Sequence, residues 1–167
     1  MDELYDRLRL EGISAARYHA GLSQEERQQA QEDFQYDRVQ VIVATNAFGM
    51  GIDKSNVRYV LHYNMPSCLE NYYQEAGRAG RDGEPSECIL LFSPQDVVIQ
   101  KFLLEHKEQS AALEEVEEAN LRKLYAMEHY CRTTSCLRQT LLHYFGKKPR
   151  PGATTVPPAT GIMKKWI

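Results

Sequence analysis

Short apolar runs alternate with helix-start signals through the first hundred residues, and no other feature constrains the fold as tightly. Val39-Gln40-Val41-Ile42-Val43-Ala44 is short and β-branched, the pattern of a strand buried within a sheet. Residues 13–18, 57–63 and 87–92 read as three further strands. The intervening helices have identifiable starts. Ser23 with Glu26 three residues on forms a capping-box pair, and Ser67 with Glu70 forms a second. Ser93-Pro94 opens another helix, with proline at the first turn, where its missing N–H costs nothing. This alternation implies an α/β fold, a parallel sheet with helices on both faces, whose ligands gather at the carboxyl ends of the strands.

The ends of the chain follow different rules. Met1 to Leu10 is already amphipathic, with Leu4, Leu8 and Tyr5 to one side, and Glu11-Gly12 closes the helix. An α/β lobe ordinarily opens with a strand, so the expectation is that a first strand is missing. After about Glu105 the strands stop, and residues 114–130 and 135–145 read as a helical hairpin around Arg132-Thr133-Thr134. From Lys147 the chain is rich in Lys, Pro, Gly, Ala and Thr without periodicity, which predicts a disordered or aberrant tail, an out-of-frame reading or a truncated gene end. The expected boundaries are 1–106 for the lobe, 107–146 for the helical arm and 147–167 for the tail.

Charge excludes one simple mode of action. The 167 residues carry a net charge of −3, so no global attraction draws the chain to nucleic acid, and phosphate binding must come from local placement. No apolar run reaches the roughly 18 residues of a membrane span. The four cysteines (Cys68, Cys88, Cys131, Cys136) come without a secretory pattern and point to reduced thiols in a cytoplasm.

Chemistry concentrates in three segments. Gln74-Glu75-Ala76-Gly77-Arg78-Ala79-Gly80-Arg81-Asp82-Gly83 sets two arginines three residues apart at a helix end, among glycines that allow close backbone approach. A guanidinium is always charged and grips phosphate oxygens with parallel hydrogen bonds. Pairing of Arg78 and Arg81 with Glu75 and Asp82 is the simpler alternative. Ala44 to Asp53 hands a strand over to a loop bearing Thr45, Asn46, Gly49, Gly51 and Asp53. Its backbone N–H groups and the Thr45 hydroxyl suit phosphate, while Asp53 suits a ribose hydroxyl, an arginine or a turn. Tyr18-His19-Ala20-Gly21-Leu22 is a further turn after a strand, and its histidine is either a phosphate contact or structural.

Taken in order, these three segments resemble the second motor lobe of RecQ-family DNA helicases over residues 1–146. Leu141-Leu142-His143-Tyr144-Phe145-Gly146 also resembles the helical arm of that family's zinc subdomain. The resemblance implies a RecA-like lobe of an ATP-dependent 3′–5′ helicase acting on single-stranded DNA or DNA junctions, in the bacterial cytoplasm at the nucleoid. ATP and Mg²⁺ would lie between this lobe and a first lobe. By analogy Arg81 is the arginine finger, Arg78 assists, and Gln74 relays between nucleotide and DNA. Gly51 and Asp53 approach the nucleotide, while His19, Thr45 and Asn46 face DNA. Cys136 matches one zinc ligand of the family, but no cysteine follows it. The sequence also contains no GxxxxGK[ST] loop and no acidic Mg²⁺ box, so the expectation is no ATPase activity from this chain alone. The competing expectation is a non-catalytic module that binds nucleic acid or lends its arginines to a partner.

Overall fold

The computed structural model describes residues 1–45, 48, 54–106 and 114–148. The chain divides into two compact units, Met1–Lys54 and Ser55–Ile167.

In the first unit, α1 (Asp2–Leu10) leads into β1 (Ala15–Tyr18), and α2 (Gln24–Gln35) leads into β2 (Val41–Ala44). The strands pair in parallel, from Ala15 opposite Val41 to Tyr18 opposite Ala44. The capping box at the start of α2 forms as the sequence predicts. Glu26 N–H donates to Ser23 Oγ at 3.1 Å, and Ser23 N–H donates to Glu26 Oε2 at 2.8 Å. Phe48 wedges between Tyr18 and Phe34, with ring centroids 5.0 and 6.0 Å away. Buried Lys54 lies over Phe34 and donates to Asp37 Oδ1 at 2.7 Å. Asp37 takes a left-handed φ of 57°, which its short polar side chain tolerates better than most.

In the second unit, β3 (Tyr59–His62) and β4 (Glu87–Leu90) flank α3 (Leu69–Ala76), and α4 (Pro94–Glu105) follows. β3 and β4 also pair in parallel, from Tyr59 opposite Glu87 to His62 opposite Leu90. The Ser93 cap forms, with Gln95 N–H donating to Ser93 Oγ at 3.3 Å and Ser93 N–H to Asp96 Oδ2 at 2.8 Å. The second expected capping box does not. α3 begins one residue later than a Ser67 cap requires, with Cys68 at the N-cap and no side-chain cap bond. Ser67 Oγ instead accepts from Asn71 Nδ2 at 3.2 Å, and Glu70 turns away to other partners. Serine and glutamate at the right spacing do not form a box when a tertiary partner competes for the carboxylate.

The helical hairpin is α5 (Glu114–Arg132) and α6 (Leu137–Tyr144). It shares one core with α3 and α4. Leu124 and Met127 of α5 are fully enclosed (0%), against Met65, Leu69, Tyr72 and Val97. At about 25 cal/mol per Å² of apolar surface removed from water, such side chains each contribute on the order of 1.5–3 kcal/mol. This cluster is what holds the arm to the helix that precedes the two arginines.

Candidate nucleotide and nucleic-acid interface

The parallel register of β1 and β2 brings two of the predicted residues to one edge. Tyr18 and Ala44 are partners, so His19 and Thr45 are the next residues at the carboxyl ends of neighbouring strands. Thr45 is exposed, and its N–H donates to Tyr18 O at 3.1 Å. The His19 ring is engaged by its own unit. Gly21 N–H donates to His19 Nδ1 at 3.2 Å, while Nε2 is shielded from solvent 3.6 Å from Asp2 Oδ1. Asp2 is drawn below the ordinary carboxylate range chiefly by its hydrogen bond from Arg17. Asn46, Gly51 and Asp53 lie outside the described residues.

The arginine segment has a definite architecture in the second unit. α3 stops at Ala76 with Gly77 as C-cap, and the chain continues in turns: Arg78 N–H donates to Glu75 O, and Ala79 N–H to Ala76 O. Gly80 N–H then donates across to Val57 O at 3.0 Å, and Gly83 N–H donates to Gly80 O at 3.0 Å. Gly80 has a φ of 62°, and a Cβ there would stand 2.5 Å from Ser86 Oγ and 2.9 Å from Glu84 O. This is one of the glycines expected to allow close backbone approach. What it approaches is its own chain, where only glycine combines the left-handed backbone with the space available.

The two carboxylates beside the arginines have partners on β3 and its approach. Asp82 is taken by Arg58, whose Nη2 lies 2.6 and 2.5 Å from the two carboxylate oxygens. Arg58 also donates to Pro85 O and Asn56 O. The hydrogen bond from Arg58 holds the Asp82 carboxyl below its ordinary value, and the same bond raises Arg58. Glu75 faces His62, with His62 Nε2 2.9 Å from Glu75 Oε2 and the imidazole beside the Tyr72 ring. Arg81 is exposed, and its Nε donates weakly to Gly77 O at 3.4 Å. Arg78 is half-buried, and Gln74 is exposed on the last turn of α3. Gln74, Arg78 and Arg81 therefore share one short segment, which Arg58 and His62 brace from β3 and its approach. Neither bracing residue belongs to the three motif segments. The only signal was a basic residue and a histidine in an otherwise apolar strand, and it gained meaning once β3 lay beside the loop.

An exposed guanidinium on a braced turn has the charge to meet a triphosphate, and the sequence carries no GxxxxGK[ST] phosphate loop beside it. A structural zinc ion is a different matter. Such sites need four tetrahedral Cys, His or carboxylate ligands. Cys136 is the N-cap of α6, Cys131 packs against the apolar core, and no three potential ligands cluster among the described residues. The described residues do not fit the metal.

Comparison with known proteins agrees with this architecture. Residues 1–83 match the "Helicase conserved C-terminal domain" family, and residues 94–153 match "RecQ zinc-binding". The ATP-dependent DNA helicase RecQ of Bacillus subtilis (strain 168) is 54% identical over 147 residues, covering 88% of this chain and 24% of that protein. RecQ of Haemophilus influenzae is 47% identical over 148 residues, covering 88% and 23%. The RecQ-like DNA helicase BLM of Xenopus laevis is 45% identical over 148 residues, covering 87% and 11%. The chain thus spans about a quarter of the length of these bacterial relatives. Among solved structures, E. coli DEAD-box protein SrmB bound to RraA aligns with a TM-score of 0.53 and 29% identity, covering 65% of this chain and 64% of that one. The C-terminal domain of the DEAD-box protein Dbp5 aligns with a TM-score of 0.50 and 26% identity, covering 72% and 75%. Parallel strands, an arginine turn closing the third helix, and matches to two adjoining family domains converge on one assignment: the chain belongs to the RecQ family of helicases, in the region of the second RecA-like lobe.

Proposed function

We propose that this chain works as part of an ATP-dependent 3′–5′ DNA helicase, supplying the second-lobe face of the motor. Arg81 is the arginine finger on the γ-phosphate, Arg78 assists it, and Gln74 couples the nucleotide to the DNA site. Gly51 and Asp53 approach the nucleotide, and His19, Thr45 and Asn46 face the DNA backbone. ATP and Mg²⁺ are held mainly by a first lobe, and the substrate is single-stranded DNA or a DNA junction in the cytoplasm. Residues 1–106 form the lobe and 107–146 the arm, with 147–167 as the tail.

The observation that carries this reading is the exposed Arg81 on a turn tied down at both ends. A finger must reach a phosphate held by another body, so it needs an exposed head and a fixed base. Closure on ATP would bring it to the phosphates, and hydrolysis would release it.

The test is to mix the purified chain with a first-lobe polypeptide bearing the P-loop and acidic box. The expected result is DNA-stimulated ATP hydrolysis by the mixture and none by the chain alone. Arg81→Ala should lower the rate by about 10³-fold or more and remove nucleotide-dependent association without changing the circular dichroism. Hydrolysis by the chain alone, or equal behaviour of Arg81→Ala, refutes the assignment.

A further inference from the structure

Residues 94–153 match a zinc-binding family, yet no group of three potential zinc ligands comes together there among the described residues. Within that span the only thiols are Cys131 and Cys136, and residues 149–167 contain no Cys, His, Asp or Glu. Burial, with Asp96 adding to it, pushes the Cys131 thiol up to about 12. These are the surroundings of an inert packed cysteine, whereas a ligating cysteine must be a thiolate. Something other than metal must hold the arm.

Polar contacts that hold it meet on α3, while α4 packs on α5 through Val97 and through Lys101 over the Tyr125 ring. Glu70 Oε1 accepts from Tyr144 Oη of α6 at 3.1 Å and lies 3.4 Å from Lys123 Nζ of α5. One carboxylate thus meets both helices of the hairpin. Burial pushes Glu70 up, but the hydrogen bonds to it and the charge of Lys123 outweigh burial and leave it below its ordinary value. The Tyr144 hydroxyl is pushed up to about 12 by burial and by the Glu70 charge, so it remains a donor. Beside this node the Tyr73 ring lies 5.1 Å from Phe145, and beneath it Tyr72 lies 5.3 Å from Tyr130. Positions 70, 72 and 73 of α3 are therefore engaged by the arm, and the same helix ends at Ala76, four residues before Gly80, whose carbonyl closes Arg81's turn.

We infer that the helical arm of this chain is a metal-free brace, in which Glu70 acts as a positioning residue that fastens α5 and α6 to the helix leading into the arginine turn. The brace goes beyond the helicase reading and does not depend on the role of Arg81, because its readouts need neither nucleotide nor DNA. The apolar cluster supplies the cohesion and Glu70 supplies the register. Glu70 Oε1 meets one lysine and one tyrosine at once, while the buried Oε2 has no hydrogen-bond partner among the described residues, so it is Oε1 alone that ties α3 to both α5 and α6.

The test uses the full chain, expressed with zinc in the medium and dialysed without chelator. The expected result is well under about 0.1 zinc per chain, where a structural site would hold one, with the same melting temperature before and after EDTA. Amide exchange then probes the brace. Glu70→Ala should speed exchange across residues 72–80 by about tenfold, a loosening local to α3 and its turn. Glu70→Gln, which still accepts from Tyr144, should recover much of that protection. Tyr144→Phe, which keeps the ring and removes only the hydroxyl, should reproduce part of the Glu70→Ala effect and serves if Glu70→Ala does not fold. Cys136→Ser should change nothing. One equivalent of zinc with chelator-induced unfolding, or unchanged exchange in both Glu70→Ala and Tyr144→Phe, overturns the inference.

Discussion

Arg58 reaches across 24 residues of sequence to hold both oxygens of Asp82. Its other nitrogens bind the carbonyls of Pro85 and Asn56, so one guanidinium joins the start of β3 to the far side of the arginine turn. Arg78 and Arg81 lie on the segment between α3 and this tie. Their position is set by a third arginine whose own role is structural.

Arg58→Ala should therefore loosen the turn while leaving the core intact. Amide exchange at residues 78–84 should rise by about tenfold or more, with little change in exchange along α5. Arg58→Lys should resemble the alanine variant, because a lysine head is a point charge and cannot serve the carboxylate and two carbonyls at once. Protection at 78–84 equal to wild type in both variants would show that the turn stands without the tie.

The same pair carries a pH dependence with a definite sign. The Arg58 hydrogen bond holds the folded Asp82 carboxyl below 3.8, its ordinary value. The turn's stabilisation by Asp82 is thus fully present above about pH 3.8 and is lost as pH falls through the depressed folded value. Exchange at residues 78–84, corrected for intrinsic rates, should accelerate on acidification in wild type but not in Asp82→Asn. Parallel acid profiles for the two proteins would contradict this.

Gly80→Ala should be among the costliest single changes in the turn. The residue would have to hold φ 62° and place a methyl group 2.5 Å from Ser86 Oγ and 2.9 Å from Glu84 O. Left-handed strain and the clash together should cost about 2–3 kcal/mol, read as a lower denaturant midpoint. Adding Ser86→Ala relieves one contact but not the carbonyl, so it should restore only part of the loss.

Leu124→Ala tests the shared core. The side chain is fully enclosed against α3 and α4, so removal should cost about 2–5 kcal/mol. Because the cluster joins the arm to α3, exchange should rise in α3 as well as α5. A loss confined to α5 would mean the arm packs on the lobe more loosely than the core indicates.

Much of the fold was legible locally. The capping box at Ser23, the proline start at Ser93-Pro94, the strand expected over residues 39–44 and found at Val41–Ala44, and the helical hairpin each depend on neighbours a few residues away, and each formed. The strands came out shorter than read. Apolar composition marks where a strand can lie, while the ladder partner decides where pairing stops, as Tyr59–His62 against Glu87–Leu90 shows. The Ser67 and Glu70 box failed for the reason the Glu70 brace succeeds. Lys123 and Tyr144, more than fifty residues away, compete for the carboxylate and leave the helix start to Cys68.

The sequence by itself determined the order of the elements, the two arginines with their glycines, and the lack of a cysteine set for zinc, because each depends on residue type and short spacing. Only the tertiary structure decided which carboxylates the arginines face, what Gly80 makes room for, and what ties the arm to α3. Those outcomes turn on groups far apart in the chain competing for the same few hydrogen bonds. That competition has no local signature: Asp82 went to Arg58 and Glu75 to His62 only once β3 came alongside the turn.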